Sequence, residues 1–258
     1  MSVIRAPDNS RVKAWSRLAA QAKERRRLGM ALIEGPHLFG AALDRQVAVE
    51  SLIISESVIE RPEIAQLVRR SRTEPVILAD SVFRRLSDTE SPAGIAAVIR
   101  IPPAEDSLPR VESCVFLDGV QDAGNVGAIL RTAAAFRTPL VVLGPGCADA
   151  WSPKVLRAGM GGHFHLSVQI SEDLVRDFDR FGGRIVSTAV STGSDLRAAD
   201  LRGRLGWVFG SEGGGISEPV ASAATTTLRI PMPGGTESLN VAACAAICLY
   251  EHSRQTNQ

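Results

Sequence analysis

The sequence predicts an α/β protein of two domains, the second built on a mostly parallel sheet covered on both faces. Three observations carry this. Short apolar runs alternate with helix-period stretches from residue 30 onward, and a proline-rich segment at 101–110 interrupts the alternation. Beyond that segment the spacing lengthens and the strand-sized runs are apolar almost throughout, as strands buried on both faces are.

The composition suits this architecture. A chain of 258 residues can fold as one large domain or as two of ordinary size, each with its own core. Its 45% hydrophobic and 22% charged residues are those of a globular protein, so disorder is not expected. No apolar run approaches the roughly 20 residues of a membrane helix, and the opening MSVIRAPDNSRVKAW has no apolar signal core. A cytoplasmic protein is the expectation. Cys114, Cys147, Cys244 and Cys248 form no CxxC arrangement, which argues against a zinc knuckle or a disulfide framework. Buried free thiols are expected, with Cys244 and Cys248 sharing a helix face.

Taken in order, residues 10 to 28 carry helical spacing, with Val12, Trp15, Leu18, Ala19 and Ala22 on one stripe. The overall net charge of +1 conceals a basic segment here. Between residues 1 and 27, Arg5, Arg11, Lys13, Arg17, Lys23, Arg25, Arg26 and Arg27 stand against only Asp8 and Glu24, a local net charge of +6. Such a segment either neutralises phosphates on a nucleic acid or forms a solvated helix face. Arginine outnumbers lysine 26 to 3, which fits bidentate phosphate recognition and fits genomic base composition equally well. ALIEG, PHLFGAALD, ESLIIS, PEIAQLVRR, EPVILA, DSVFRRLS and AGIAAVIR then complete an α/β unit of about 100 residues, an ordinary domain size. IPPAEDSLPR, residues 101–110, has three prolines and little to bury, and reads as a linker.

In the second domain the strand candidates are SCVFLDGV, PLVVLG, HFHLSV, RIVSTAV, GWVFGS and TTLRIPM. Helices are expected to begin near Asn125, Ser152, Glu172 and Ser217, with a last one from about Leu239 to Glu251. Ligands of such sheets bind in loops beyond the carboxyl ends of strands. Three polar, glycine-bearing segments fall there: DGVQDAGNVGAILR, GSEGGGIS and IPMPGGTESLN.

Several chemistries lose their support. The chain has no G-x-x-x-x-G-K-[ST], no strict G-x-G-x-x-G, no H-E-x-x-H and no G-x-S-x-G. His163 and His165 alternate on an expected strand without a carboxylate or cysteine at ligand spacing, so no metal site is expected.

The three loops carry what remains. In the first, Asn125 is the expected N-cap of a helix on which Arg131 sits among apolar neighbours, where a cation needs a partner or an anionic ligand. A cap plus a surface salt bridge would explain both residues as well. In the second, Glu212 lies among the glycines of residues 210–217, placing an anion where a glycine-rich loop would otherwise cradle phosphate. In the third, Pro231 and Pro233 lack N–H groups, so the backbone must leave the sheet, and Ser238 and Asn240 add polar groups there.

Together these segments resemble the three motifs of the SpoU/TrmH class of SPOUT RNA methyltransferases. The first is N-x-G-x-x-x-R, here Asn125, Gly127 and Arg131. The second is G-x-E-G-x-G followed by Ile-Ser, here Gly210, Glu212, Gly213, Gly215, Ile216 and Ser217. The third is I-P-M-x-G-x-x-x-S-L-N-V, here Ile230, Pro231, Met232, Gly234, Ser238, Leu239, Asn240 and Val241. The family commonly continues with serine where this chain has Ala242. Residues 1–103 also resemble the family's L30e-like, RNA substrate-binding domain, leaving 111–258 as the SPOUT methyltransferase domain.

The resemblance implies S-adenosylmethionine as methyl donor, an RNA ribose 2′-hydroxyl as acceptor, a C-terminal trefoil knot, and a homodimer whose active site draws on both subunits. It implies ribosomal RNA as substrate more readily than transfer RNA. A base-nitrogen methyltransferase of the same fold and a non-catalytic RNA-binding or ribosome-assembly protein are the alternatives. By the same resemblance the catalytic set is Arg131, Asn125, Glu212, Ser238 and Asn240, and donor contacts come from Thr188, Gly210, Ile230, Met232, Ser238 and Leu239. RNA contacts would come from Arg11, Lys13, Arg17, Lys23, Arg25, Arg26 and Arg131. A guanidinium stays protonated, with a pKa above about 12. Arg131 therefore suits a clamp on the phosphate beside the target ribose better than a base, with Glu212 paired to it or turned to the donor.

Overall fold

The computed structural model describes residues 3–103, 107–234 and 236–256. The chain forms two compact units, one of Met1–Pro103 with Trp151–Phe164, the other of Ala104–Ala150 with His165–Gln258. Part of the expected linker, residues 104–106, lies outside the described residues.

The first unit holds a five-stranded mixed sheet in the order β1 (Val3–Ile4), β4 (Pro75–Leu78), β3 (Val49–Ser55), β5 (Ile95–Arg100), β2 (Met30–Glu34). β5 runs antiparallel to β2 and β3, and the other pairs are parallel. Helix α1 (Ser10–Ala20) starts where Asn9 accepts from the Arg11 N–H. Its Val12, Trp15 and Leu18 pack on Leu32, Ile53, Leu78 and Val98 of the sheet.

The helix expected across residues 10–28 is in fact two, because Gln21 is extended (φ −120°, ψ 113°) between α1 and α2 (Ala22–Leu28). The break strands carbonyls at the end of α1, as every helix end does. Arg25 supplies them: its Nη1 donates to the carbonyls of Leu18 (2.5 Å) and Ala19 (2.8 Å). The side chain is 4% exposed, which corrects the expectation that Arg25 contacts RNA. Its charge is spent on the backbone of its own domain.

Helices α3 (Pro36–Asp44), α4 (Pro62–Ser71) and the short α5 (Asp80–Phe83) complete the N-terminal stretch. The later segment in this unit is helix α7 (Pro153–Gly159), capped by Ser152 and tied by a two-pronged Arg157–Asp88 ion pair at 2.7 and 3.1 Å. After it Met160 (φ 47°) and Gly161 (φ 87°) are left-handed and wind residues 162–165 into a 3₁₀ turn. The strand expected from His163 therefore starts only at Ser167. His163 is buried and His165 exposed, so the two do not alternate on one strand face.

The second unit is a seven-stranded, wholly parallel sheet. Its order is β10 (Ser194–Asp195), β12 (Thr226–Arg229), β9 (Arg184–Ala189), β11 (Leu205–Gly210), β6 (Ser113–Asp118), β7 (Leu140–Leu143), β8 (Ser167–Ile170). On one face Phe116, Val142, Ile185 and Val208 meet Leu174, Phe178 and Phe181 of α8 (Leu174–Phe181) and Val220 of α9 (Glu218–Ala223). Trp207 points the other way, as strand alternation requires, and donates its indole N–H to His252 of α10 (Val241–Thr256) at 3.2 Å. Leu108 is fully buried in the first of these faces. The expected linker thus contributes one anchor to the core despite its polar composition.

Candidate active site

The strand order brings the loops together. β6 and β11 are neighbours with Gly210 opposite Asp118, and β9 lies between β11 and β12. The segments that follow β6, β9, β11 and β12 therefore leave the same end of the sheet side by side, where open α/β sheets bind ligands.

The glycine loop after β11 closes on itself. Ser211 and Gly215 exchange both backbone hydrogen bonds, at 2.9 and 3.0 Å, and Gly215 is left-handed (φ 66°). A Cβ on Gly210 would lie 2.2 Å from the Gly215 carbonyl carbon, so that glycine serves the closure of the loop. A Cβ on Gly213 would meet nothing within 4 Å. Asp118, at the end of β6, accepts from the Ser217 N–H at 2.6 Å and fixes where the loop ends. The sequence pattern does not mark Asp118, because its role depends on the β6–β11 register.

Helix α6 (Ala123–Ala135) begins two residues earlier than expected. Its N-cap is Asp122, whose carboxylate accepts from the Asn125 N–H at 2.8 Å. Asn125 is thereby released from capping, which corrects that expectation. Its side-chain amide donates to Glu212 Oε1 at 2.5 Å, and its Oδ1 accepts from Asn240 Nδ2 at 2.9 Å. Asn240 in turn caps α10, its Oδ1 accepting from the N–H groups of Ala242 (2.9 Å) and Ala243 (3.3 Å). One chain of hydrogen bonds thus joins all three loops. It also satisfies Ala242 without the hydroxyl that the family commonly has there.

These loops border a cavity of about 720 Å³. Thr188, Gly210, Ile230, Met232, Ser238 and Leu239 all line it, as do Glu212 and Asn240. Glu237, Val190 and Cys244 line it as well and were not expected. Among the described residues the wall holds two carboxylates, Glu212 and Glu237, and no lysine, arginine or histidine. A phosphate would meet two like charges there and no opposite one among the described residues, whereas a cation would be stabilised.

Arg131 and Asn125 do not line the cavity. The Arg131 side chain is exposed on α6 and makes no hydrogen bond or ion pair among the described residues; of the two expectations for Glu212, pairing to Arg131 or facing the donor, the first is not seen within this chain, where Glu212 accepts from Asn125 and lines the cavity. In the first unit Arg11, Lys13, Arg17, Lys23 and Arg26 are exposed on α1 and α2, with the Arg11 guanidinium 5.2 Å from the Trp15 ring centre. Among the described residues no group of three or more His, Cys, Asp or Glu is placed to hold a metal ion, and no helix is long and apolar enough to cross a membrane.

Two family models match the chain: the SpoU rRNA methylase family over residues 112–250 and the MRM3-like substrate-binding domain over residues 9–97. A 23S rRNA (guanosine(2553)-2′-O)-methyltransferase, RlmP of Bacillus subtilis, is 32% identical over 97% of this chain and 98% of its own. Among solved structures, a putative RNA methyltransferase of the TrmH family from Porphyromonas gingivalis is 34% identical, with a TM-score of 0.80 over 96% of this chain and 99% of its own. The SpoU methyltransferase AviRb from Streptomyces viridochromogenes, solved with S-adenosylmethionine, is 26% identical, with a TM-score of 0.88 over 96% of this chain and 98% of its own.

Proposed function

The chain belongs to the SpoU rRNA methylase family, and from that premise we propose that it methylates a ribose 2′-hydroxyl of ribosomal RNA with S-adenosylmethionine. The observation that carries the donor is the cavity wall, with two carboxylates and no basic side chain among the described residues. S-adenosylmethionine brings a sulfonium, an ammonium and one carboxylate and no phosphate, a net positive charge that Glu212 and Glu237 suit. Its volume and its polar and apolar groups fit a space bounded by Ile230, Met232 and Leu239 on one hand and by Thr188, Ser238 and glycine backbone on the other.

When bound, the donor supplies an electrophilic methyl group. The protein must hold the ribose oxygen in line with it, because a neutral hydroxyl is a weak nucleophile and alignment provides much of the rate. Asn125, fixed between Glu212 and Asn240, positions the rim of the cavity against the ribose. Arg131 clamps the adjoining RNA phosphate, and the hydroxyl proton passes to that phosphate or to a neighbouring group. Arg131 is absent from the cavity of its own chain, which supports a homodimer in which the arginine serves the other subunit's site. The exposed Ile247 and Tyr250 on α10 suit such an interface. Lys13, Arg17, Lys23 and Arg26 serve the RNA backbone from residues 1–103, while 111–258 carry the chemistry through a knotted, cytoplasmic methyltransferase domain.

Calorimetry with S-adenosylmethionine, followed by nucleoside analysis of RNA methylated by the purified protein, tests this. Donor binding and a 2′-O-methylnucleoside are expected. A methylated base would exclude ribose transfer, and no donor binding would leave an RNA-binding protein without the enzyme.

A further inference from the structure

A second cavity, of about 380 Å³, lies wholly within the first unit. Its wall is made by the C-terminal end of α1, by residues 85–88 after α5, and by residues 152–154, which join this unit from later in the chain. The charge here is opposite to that of the donor cavity. Arg85 and Lys154 line it, both exposed and neither in an ion pair or side-chain hydrogen bond among the described residues. Arg25 adds a third positive charge, although its Nη1 is committed to the carbonyls at the end of α1. Against them stands the Asp88 carboxylate, already held on both oxygens by Arg157. Ser152 accepts from the Val155 N–H at 3.4 Å, which leaves its own proton to donate, and the Ser16 hydroxyl makes no hydrogen bond among the described residues. Ala20 and Pro153 supply apolar surface.

We propose that this cavity receives one unstacked nucleotide of the substrate RNA, with its phosphate on Arg85 and Lys154, its base against Ala20 and Pro153, and Ser16 and Ser152 as hydrogen-bond donors. This rests on the RNA reading made above, and it extends the RNA surface beyond residues 1–103 to Lys154. The volume is that of a small-ligand pocket, within the range of about 300–1,000 Å³, so it admits a single nucleotide and no stacked helix. Proteins that read RNA by sequence take up such splayed bases and hold the adjoining phosphate. A guanidinium grips that phosphate on two prongs, and an ammonium adds a point charge. The polymer is favoured over a free nucleotide by α1, where the exposed Arg17 follows Ser16 directly and Lys13 lies one turn earlier, so neighbouring phosphates also find cations.

The test titrates the full-length protein against transcribed 23S ribosomal RNA by filter binding over a range of salt. Arg85→Ala with Lys154→Ala should raise Kd by about tenfold and flatten the salt dependence by about 0.7, the loss of one phosphate on a single strand. Arg84→Ala is the control, because Arg84 is as exposed as its neighbour but does not line this cavity, and its effect should stay within about twofold. Ala20→Trp fills the recess without changing charge, and should raise Kd by about fivefold with the salt slope intact. Thermal melts check that each variant is folded. An unchanged Kd in the double variant overturns the proposal, as does an equal loss at Arg84, which would make the effect one of general charge. Unaltered binding by folded Ala20→Trp also overturns it, since nothing then enters the cavity. Micromolar binding of a free mononucleotide in calorimetry would assign the cavity to a small metabolite instead. Absence of RNA binding by the unmodified protein overturns the RNA reading beneath the proposal.

Discussion

The Asn125 side chain donates to Glu212 at 2.5 Å across 87 positions of sequence, and the same side chain accepts from Asn240. One amide therefore sets the spacing of three loops. Asn125→Ala would leave the Glu212 carboxylate and the Asn240 amide each one partner short, a loss of about 1–2 kcal/mol. A fall in kcat/KM of about tenfold is expected. Asn125→Asp should be worse, since it sets a second carboxylate against Glu212. Equal activity of all three proteins in steady-state methyl transfer would remove the network from the mechanism.

Arg131 is exposed and without an ion-pair partner among the described residues. Its replacement by alanine should leave folding and donor affinity unchanged while lowering turnover by about a hundredfold, the scale of lost positioning. Lysine should not restore it, because an ammonium cannot reproduce the two-pronged guanidinium contact with phosphate. Near-normal turnover with only weakened RNA binding would show that the arginine does not act at the reacting ribose.

Gly210 and Gly213 make an internal control. A Cβ at Gly210 meets the backbone of Gly215 at 2.2 Å, and one at Gly213 meets nothing within 4 Å. Gly210→Ala should cost about 2–4 kcal/mol through forced backbone movement and abolish donor binding, whereas Gly213→Ala stays near wild type. Thermal melts of the two variants with and without S-adenosylmethionine decide it.

Arg25 and Arg26 are adjacent and should respond in opposite ways. Arg25→Met removes the donor to two carbonyls and should destabilise the protein by about 2–3 kcal/mol. Arg26→Ala, with the exposed Lys23→Ala, should leave stability alone and flatten the dependence of log Kd for RNA on log salt by about one unit per charge. An unchanged salt slope would take α2 off the RNA surface.

Much of this was legible in the sequence, for physical reasons. Glycine, proline and polar punctuation at the ends of β6, β11 and β12 marked the three loops, and apolar runs marked the parallel strands between them. What escaped depends on tertiary placement. Leu108 looks like linker until its side chain is seen in the core. Basic side chains in one run look alike until Gln21 breaks the helix and leaves carbonyls for Arg25. Asn125 looks like a cap because Asp122, three residues earlier, is chemically as good a one, and only the helix start decides between them. Cys244 and Cys248 share a helix face by spacing alone, yet which of them meets the cavity depends on how α10 docks.

The anionic wall formed by Glu212 and Glu237 bears on what happens after transfer. Giving up its methyl turns the donor's sulfonium into a neutral thioether, so spent S-adenosylhomocysteine loses the charge that these carboxylates attract. The cavity should thus release its product more readily than its donor, easing product inhibition. Glu237→Gln should narrow the ratio of the two dissociation constants, and an unaltered ratio in paired titrations would show that shape alone governs the exchange.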